Sequence, residues 1–188
     1  MNVIKSKINQ YKDNLNFLID HIDANDIEIT IKLLREVRDA CRNIYIIGNG
    51  GSAGNANHIA NDFTYGVGVK NNKYIDIESL CANSSVITCL ANDIGYENIF
   101  AHQLSVKGSA DDLLISLSGS GNSKNIINAI QISNKLGLNT LSVVGFDGGR
   151  ALGLSKYAVH IPIYDMQLAE DFQLVFFHIC AQILCNDD

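Results

Sequence analysis

Short apolar runs, each closed by a glycine-rich turn, alternate along this chain with segments of helical spacing. Asn43-Ile44-Tyr45-Ile46-Ile47 ends in Gly48-Asn49-Gly50-Gly51-Ser52. Leu113-Leu114-Ile115-Ser116-Leu117 ends in Ser118-Gly119-Ser120-Gly121, and Thr140-Leu141-Ser142-Val143-Val144 in Gly145-Phe146-Asp147-Gly148-Gly149. Ala158–Ile163 is a fourth run and Tyr74–Leu80 a weaker fifth. A run that is apolar at successive positions belongs to a strand covered on both faces, which is the condition of a parallel sheet. Residues 53–65, 84–92, 124–136 and 166–185 carry the helical spacing between them. The pattern predicts an α/β fold, a three-layer αβα sandwich around a five-stranded parallel sheet.

Two further helices precede the first strand, over Met1–Asp23 and Asp26–Arg42. Ile4, Ile8, Tyr11, Leu15, Leu18 and Ile19 recur at helical spacing in the first. Asn25-Asp26-Ile27-Glu28 offers capping chemistry to the second, ahead of Ile29, Ile31, Leu33, Leu34 and Val37. No linker, repeat or biased segment divides the 188 residues, so residues 1–188 read as one domain with residues 1–42 as a helical N-terminal extension. Such an extension can cover its own domain or a neighbouring subunit. With 14 Lys and Arg against 20 Asp and Glu, the net charge of −6 argues against nucleic acid as a partner. No run is long and apolar enough to span a bilayer, and no apolar signal core opens the chain. Five cysteines without a C-x-x-C pair read as free thiols in a reducing cytoplasm.

Ligands of open parallel sheets bind beyond the carboxyl ends of the strands. Two loops stand out there. Gly48–Ser52 lets the backbone approach a ligand just before a helix begins. Ser118-Gly119-Ser120-Gly121-Asn122-Ser123 sets three hydroxyls and outward-facing amides at a helix start, which suits a phosphate. The alternative for this loop is a tight turn whose serines only cap the helix. Neither loop is a Walker loop or a dinucleotide fingerprint. His58 and Asp62 stand at i and i+4, on one face of the helix after the first loop. Glu170, Asp171 and His178 form a second acid–histidine set on the last helix. Glu170 and His178 would lie about 12 Å apart along a straight helix. They could share an ion only if both side chains stretch, if Glu170 precedes the regular helix, or if subunits share the site. His21, His102 and His160 have no such company and read as structural.

Gly48-Asn49-Gly50-Gly51-Ser52-Ala53 with His58 and an acid four residues later resembles the sugar isomerase domain of phosphoheptose isomerases. So do Ala91-Asn92-Asp93-Ile94-Gly95-Tyr96-Glu97, Ser118-x-Ser120-Gly121-Asn122-Ser123 and the last-helix segment Glu170–Leu184. The resemblance covers nearly the whole chain, and its three motifs stand in the right order. It implies a flavodoxin-like sheet and a cytoplasmic homotetramer. It also implies an enzyme that interconverts sedoheptulose 7-phosphate and D-glycero-D-manno-heptose 7-phosphate through an enediol, feeding activated heptose to surface polysaccharide. Carried over by position, Asn49, Gly50, Gly51 and Ser52 lie along the substrate, Asn92 and Asp93 hold sugar hydroxyls, and Ser118, Gly119, Ser120 and Ser123 cradle the phosphate. His58, Asp62, Glu170 and His178 fall on zinc-binding positions, Glu170 also lying against the substrate. Asp62 would be the base and His178 the acid.

Four departures from the family pattern accompany the resemblance. Asp62 stands where Glu is usual, Glu170 where Gln is usual, and Gly119 where Thr is usual. The arginine expected soon after the acid is missing from Asp62-Phe63-Thr64-Tyr65-Gly66-Val67. A base shortened by one methylene displaces its oxygen by about 1 Å, enough to lower a rate on the order of a hundredfold. An isomerase for another sugar phosphate and a phosphosugar-binding module without turnover are the alternative readings of the same residues.

Overall fold

The computed structural model describes residues 2–69 and 72–186. Alternation inside the apolar runs builds the layers. Ile44, Ile46, Leu113, Ile115 and Leu117 enter one buried cluster, while Tyr45, Ile47 and Leu114 enter another on the opposite face of the sheet. The strands are β1 (Ile44–Gly48), β2 (Ile77–Ser79), β3 (Leu113–Ser118), β4 (Asn139–Val144) and β5 (Tyr157–His160). All neighbours are parallel, in the order β2-β1-β3-β4-β5. This is the five-stranded parallel sheet, covered by helices on both faces, that the sequence pattern predicts. β5 stops three residues short of Ile163, because Pro162 has no N–H to continue a ladder.

On the first face lie α2 (Ala24–Asp39), α3 (Gly51–Asn61) and α8 (Met166–Leu184). On the second lie α4 (Ser84–Ile94), α5 (Ile99–Lys107), α6 (Lys124–Leu136) and α7 (Gly149–Leu154). The spacing had not marked α5 or α7. α2 starts two residues earlier than expected, because Asp23 is its cap: the carboxylate accepts the Asn25 N–H at 2.8 Å. α2 buries Ile27, Ile31, Leu33, Leu34 and Val37 and so belongs to the core rather than to an attachment.

α1 (Asn2–Asp20) behaves differently; the expected first residue of its helix, Met1, lies outside the described residues. Of its apolar side chains only Leu18 is buried, and Val3, Ile4, Ile8, Phe17 and Ile19 face outward. It is tied down at Tyr11, whose hydroxyl donates to the Asp171 carboxylate of α8. That hydrogen bond pushes the Tyr11 hydroxyl up to about 12. No helix among the described residues is long and apolar enough to cross a membrane.

Candidate active site

Loops at the carboxyl ends of β1 and β3 face one another where the strand order reverses, the crevice that open α/β sheets use for ligands. In the β1 loop, Gly50 takes φ +55 at the start of α3, a conformation that suits a residue without Cβ. In the β3 loop, Gly121 takes φ +63, and a Cβ there would stand 2.0 Å from the Gly148 carbonyl oxygen. The loop is therefore closed against the turn after β4.

The serines of the β3 loop divide their work. Ser118 is buried, and its Oγ accepts the Gly121 N–H at 3.1 Å. Ser120 Oγ accepts the Asn122 N–H at 3.3 Å. Ser123 occupies the cap position of α6 but makes no side-chain cap bond. A helix start leaves its first amides without intrahelical partners. At α6 the Ile126 N–H is taken by Asn125 Oδ1 at 3.0 Å, and those of Lys124 and Asn125 stand at the helix start beside the Ser123 hydroxyl. A Cβ at Gly119 would meet the Met166 Sδ at 2.5 Å, the far end of a flexible side chain.

α3 and α8 run side by side, and their packing joins His58, Asp62 and His178. His58 Nε2 lies 3.0 Å from His178 Nε2. Asp62 Oδ2 lies 3.3 Å from His58 Nε2 and 3.4 Å from His178 Nε2. α3 gives way at Asp62 to a π-helical turn over Asp62–Gly66, which buries Phe63 against Phe177. The three donor atoms form a nearly regular triangle. A tetrahedral ion with bonds of about 2.0–2.1 Å sets donor–donor edges of about 3.3–3.4 Å. Two imidazoles and one carboxylate at these separations thus suit a divalent ion on one side of the triangle, with a coordination position left open. A cavity of about 630 Å³ opens beside Asp62 and His178, between the π turn and the end of α8.

The other expected site residues stand outside this triangle. Glu170 lies within the regular part of α8, so it does not precede the helix, and it does not join the triangle. Its carboxylate instead covers Gly51 at the start of α3, with Oε2 2.1 Å from where a Cβ would be. His58 lies seven residues down α3 from Gly51, about 10 Å along the axis, which separates Glu170 from the triangle. Ser52 is buried with its hydroxyl turned away from the crevice, accepting from Gln173 Nε2 at 3.2 Å. Asn55 reinforces that seam by donating to Gln173 Oε1 at 3.0 Å and to the Glu170 carbonyl at 2.9 Å. Asn92 and Asp93 are exposed on α4 and bond to each other, Nδ2 to Oδ1, at 2.8 Å. Asn49 does reach across the crevice: its amide pairs with that of Asn125 on α6, and Tyr96 donates to its Oδ1. Asn125 and Tyr96 carried no signal of their own in the sequence, although Tyr96 lies inside a quoted motif.

The SIS domain pattern matches residues 10–145. The phosphoheptose isomerase of Helicobacter pylori strain P12 is 39% identical over 155 residues, covering 82% of this chain and 80% of its own. The chain belongs to the SIS-domain family of phosphoheptose isomerases. A second family member, from H. pylori strain Shi470, is 35% identical over 182 residues, 97% of this chain and 94% of the relative. The solved structure of a phosphoheptose isomerase from Francisella tularensis superposes with a TM-score of 0.90, covering 97% of this SIS-domain chain and 98% of that one. At 20% identity, that likeness is one of fold.

Proposed function

We propose that this chain interconverts sedoheptulose 7-phosphate and D-glycero-D-manno-heptose 7-phosphate through an enediol, as the first step toward activated heptose for surface polysaccharide. The observation that carries the reading is the triangle of His58, Asp62 and His178, two nitrogen bases and a carboxylate within 3.4 Å of one another. Moving a proton between C1 and C2 requires a base at the carbon and an acid at the carbonyl oxygen. Asp62 takes the carbon-bound proton and His178 delivers one to the carbonyl oxygen. His58 holds the Asp62 carboxylate in place. The α6 start with Ser120 and Ser123 holds the phosphate, Ser118 and Gly119 shaping the turn, while Asn49, Gly50, Gly51, Asn92 and Asp93 serve the sugar hydroxyls.

His58 Nε2, His178 Nε2 and Asp62 Oδ2 would hold one zinc ion, which would leave the second Asp62 oxygen and the His178 Nδ1–H for the proton transfers. When bound, zinc supplies a Lewis acid that polarises the carbonyl and stabilises negative charge on its oxygen. Glu170 serves the glycine loop in this reading rather than the ion. The outward apolar residues of α1 support assembly into a homotetramer, the arrangement in which a long helix with one buried side chain gains cover. The cytoplasm, where the five cysteines stay free, is the proposed compartment.

Incubation with sedoheptulose 7-phosphate in deuterated water tests the reading. Deuterium appears at C1 and C2 of the recovered sugar phosphates if the enediol forms. Absence of exchange, with and without added zinc, overturns it.

A further inference from the structure

The geometry points to the paired amides of Asn49 and Asn125, locked by Tyr96, as a clasp that sets the spacing between the two substrate-holding loops. This rests on the phosphosugar reading above. Asn49 Nδ2 donates to Asn125 Oδ1 at 2.9 Å, and Asn125 Nδ2 donates back to Asn49 Oδ1 at 2.8 Å. Two antiparallel bonds between planar groups fix orientation as well as distance, as a bidentate ion pair does. Each oxygen takes a second donor: Tyr96 Oη–H reaches Asn49 Oδ1 at 2.8 Å, and the Ile126 N–H reaches Asn125 Oδ1 at 3.0 Å. Asn125 is only 2% exposed, so its carboxamide has no competing water.

The clasp stands where it can control a ligand. Asn49 follows β1 and Asn125 lies in the first turn of α6 after β3, and these two strands are neighbours in the sheet. It therefore joins the glycine loop to the α6 start across the crevice between them. A ligand held at its phosphate by the α6 amides and at its hydroxyls by the glycine loop has both ends set by this one amide pair. Tyr96 brings in the third motif, since its turn directly follows α4, which carries Asn92 and Asp93. With its ring half exposed, Tyr96 acts through Asn49 and is a positioning residue.

Tyr96→Phe deletes one hydroxyl and leaves the buried core intact. Calorimetric titration of the full-length chain with sedoheptulose 7-phosphate and, separately, with inorganic phosphate reads the effect. The two-ended sugar phosphate should bind roughly three- to tenfold more weakly to Tyr96→Phe, while inorganic phosphate, held at α6 alone, stays within about twofold of wild type. A general loosening of the fold would weaken both ligands together. Unchanged sugar-phosphate binding, parallel losses, or a wild type that holds the sugar phosphate no tighter than inorganic phosphate would each overturn the clasp. Because the readout is affinity, a protein that shows the split but no solvent exchange fails the isomerase reading and leaves the clasp standing.

Discussion

His58 Nε2 and His178 Nε2 stand 3.0 Å apart although 120 residues separate them in the chain. Two ring nitrogens at that distance share one proton between neutral rings or both turn their lone pairs to one ion, and Asp62 supplies the third donor. Zinc binding to the folded chain alone should therefore stabilise it. At a hundred times Kd the gain is about 2.7 kcal/mol. That corresponds to a rise in Tm of about 5–10 °C for a chain of this size. Thermal unfolding with and without zinc measures it, and His178→Ala should abolish the rise. An equal rise in that variant would place the ion elsewhere.

Asp62→Asn keeps the shape of the side chain and removes the base. Turnover of sedoheptulose 7-phosphate should fall by about 10²–10⁴-fold, with binding of the sugar phosphate changed by less than about threefold. Parallel loss of binding and turnover would give Asp62 a role in holding the site together instead. Steady-state kinetics alongside calorimetric binding separates the two outcomes.

The strands were legible because Ile44–Ile47 and Leu113–Leu117 are buried on both sides, which leaves a continuous apolar signature. α5 was not, because it spans nine residues and buries Ile99, Phe100, Gln103 and Leu104 in little more than one turn. α7 is six residues with two glycines and gives no period to read. Within the site, the His58–Asp62 pairing follows from i, i+4 spacing alone. That His178 joins it depends on how α3 and α8 pack, which no local pattern encodes. Glu170 illustrates the same limit in reverse. Its position eight residues before His178 puts it about 12 Å away along the axis of α8, and there it meets Gly51 instead of the triangle. Asn125 was invisible because a buried asparagine at a helix start resembles an ordinary polar residue until its partner is known.

The β3 loop offers two glycines with opposite tolerance. Gly121→Ala combines a left-handed φ of +63 with a Cβ 2.0 Å from the Gly148 carbonyl oxygen, and backbone cannot step aside. It should lower stability by more than about 2 kcal/mol, a fall in Tm of at least about 4 °C. Gly119→Ala meets only the mobile thioether end of Met166, at 2.5 Å. Its effect should stay within about 1 kcal/mol, since methionine repacks readily. Denaturant unfolding of the two variants checks the contrast, and equal losses would mean that Met166 is as fixed as the backbone.

Thiol reactivity supplies an independent probe of the same structure. Burial pushes Cys180 up to about 12, so its reactive thiolate is scarce at pH 8. Cys89 is exposed, but its Sγ donates to Asp93 Oδ2 at 3.5 Å. That bond, together with the carboxylate's charge, raises its pKa and disfavours the thiolate. Iodoacetamide at pH 8 should modify Cys89 slowly and Cys180 only on unfolding. Asp93→Asn removes the negative charge, lowers the Cys89 pKa and should speed its alkylation several-fold, by about the factor that one lost charge contact gives at a surface. Peptide mass mapping over time reads both rates. An unchanged Cys89 rate in Asp93→Asn would show that the carboxylate does not control the thiol.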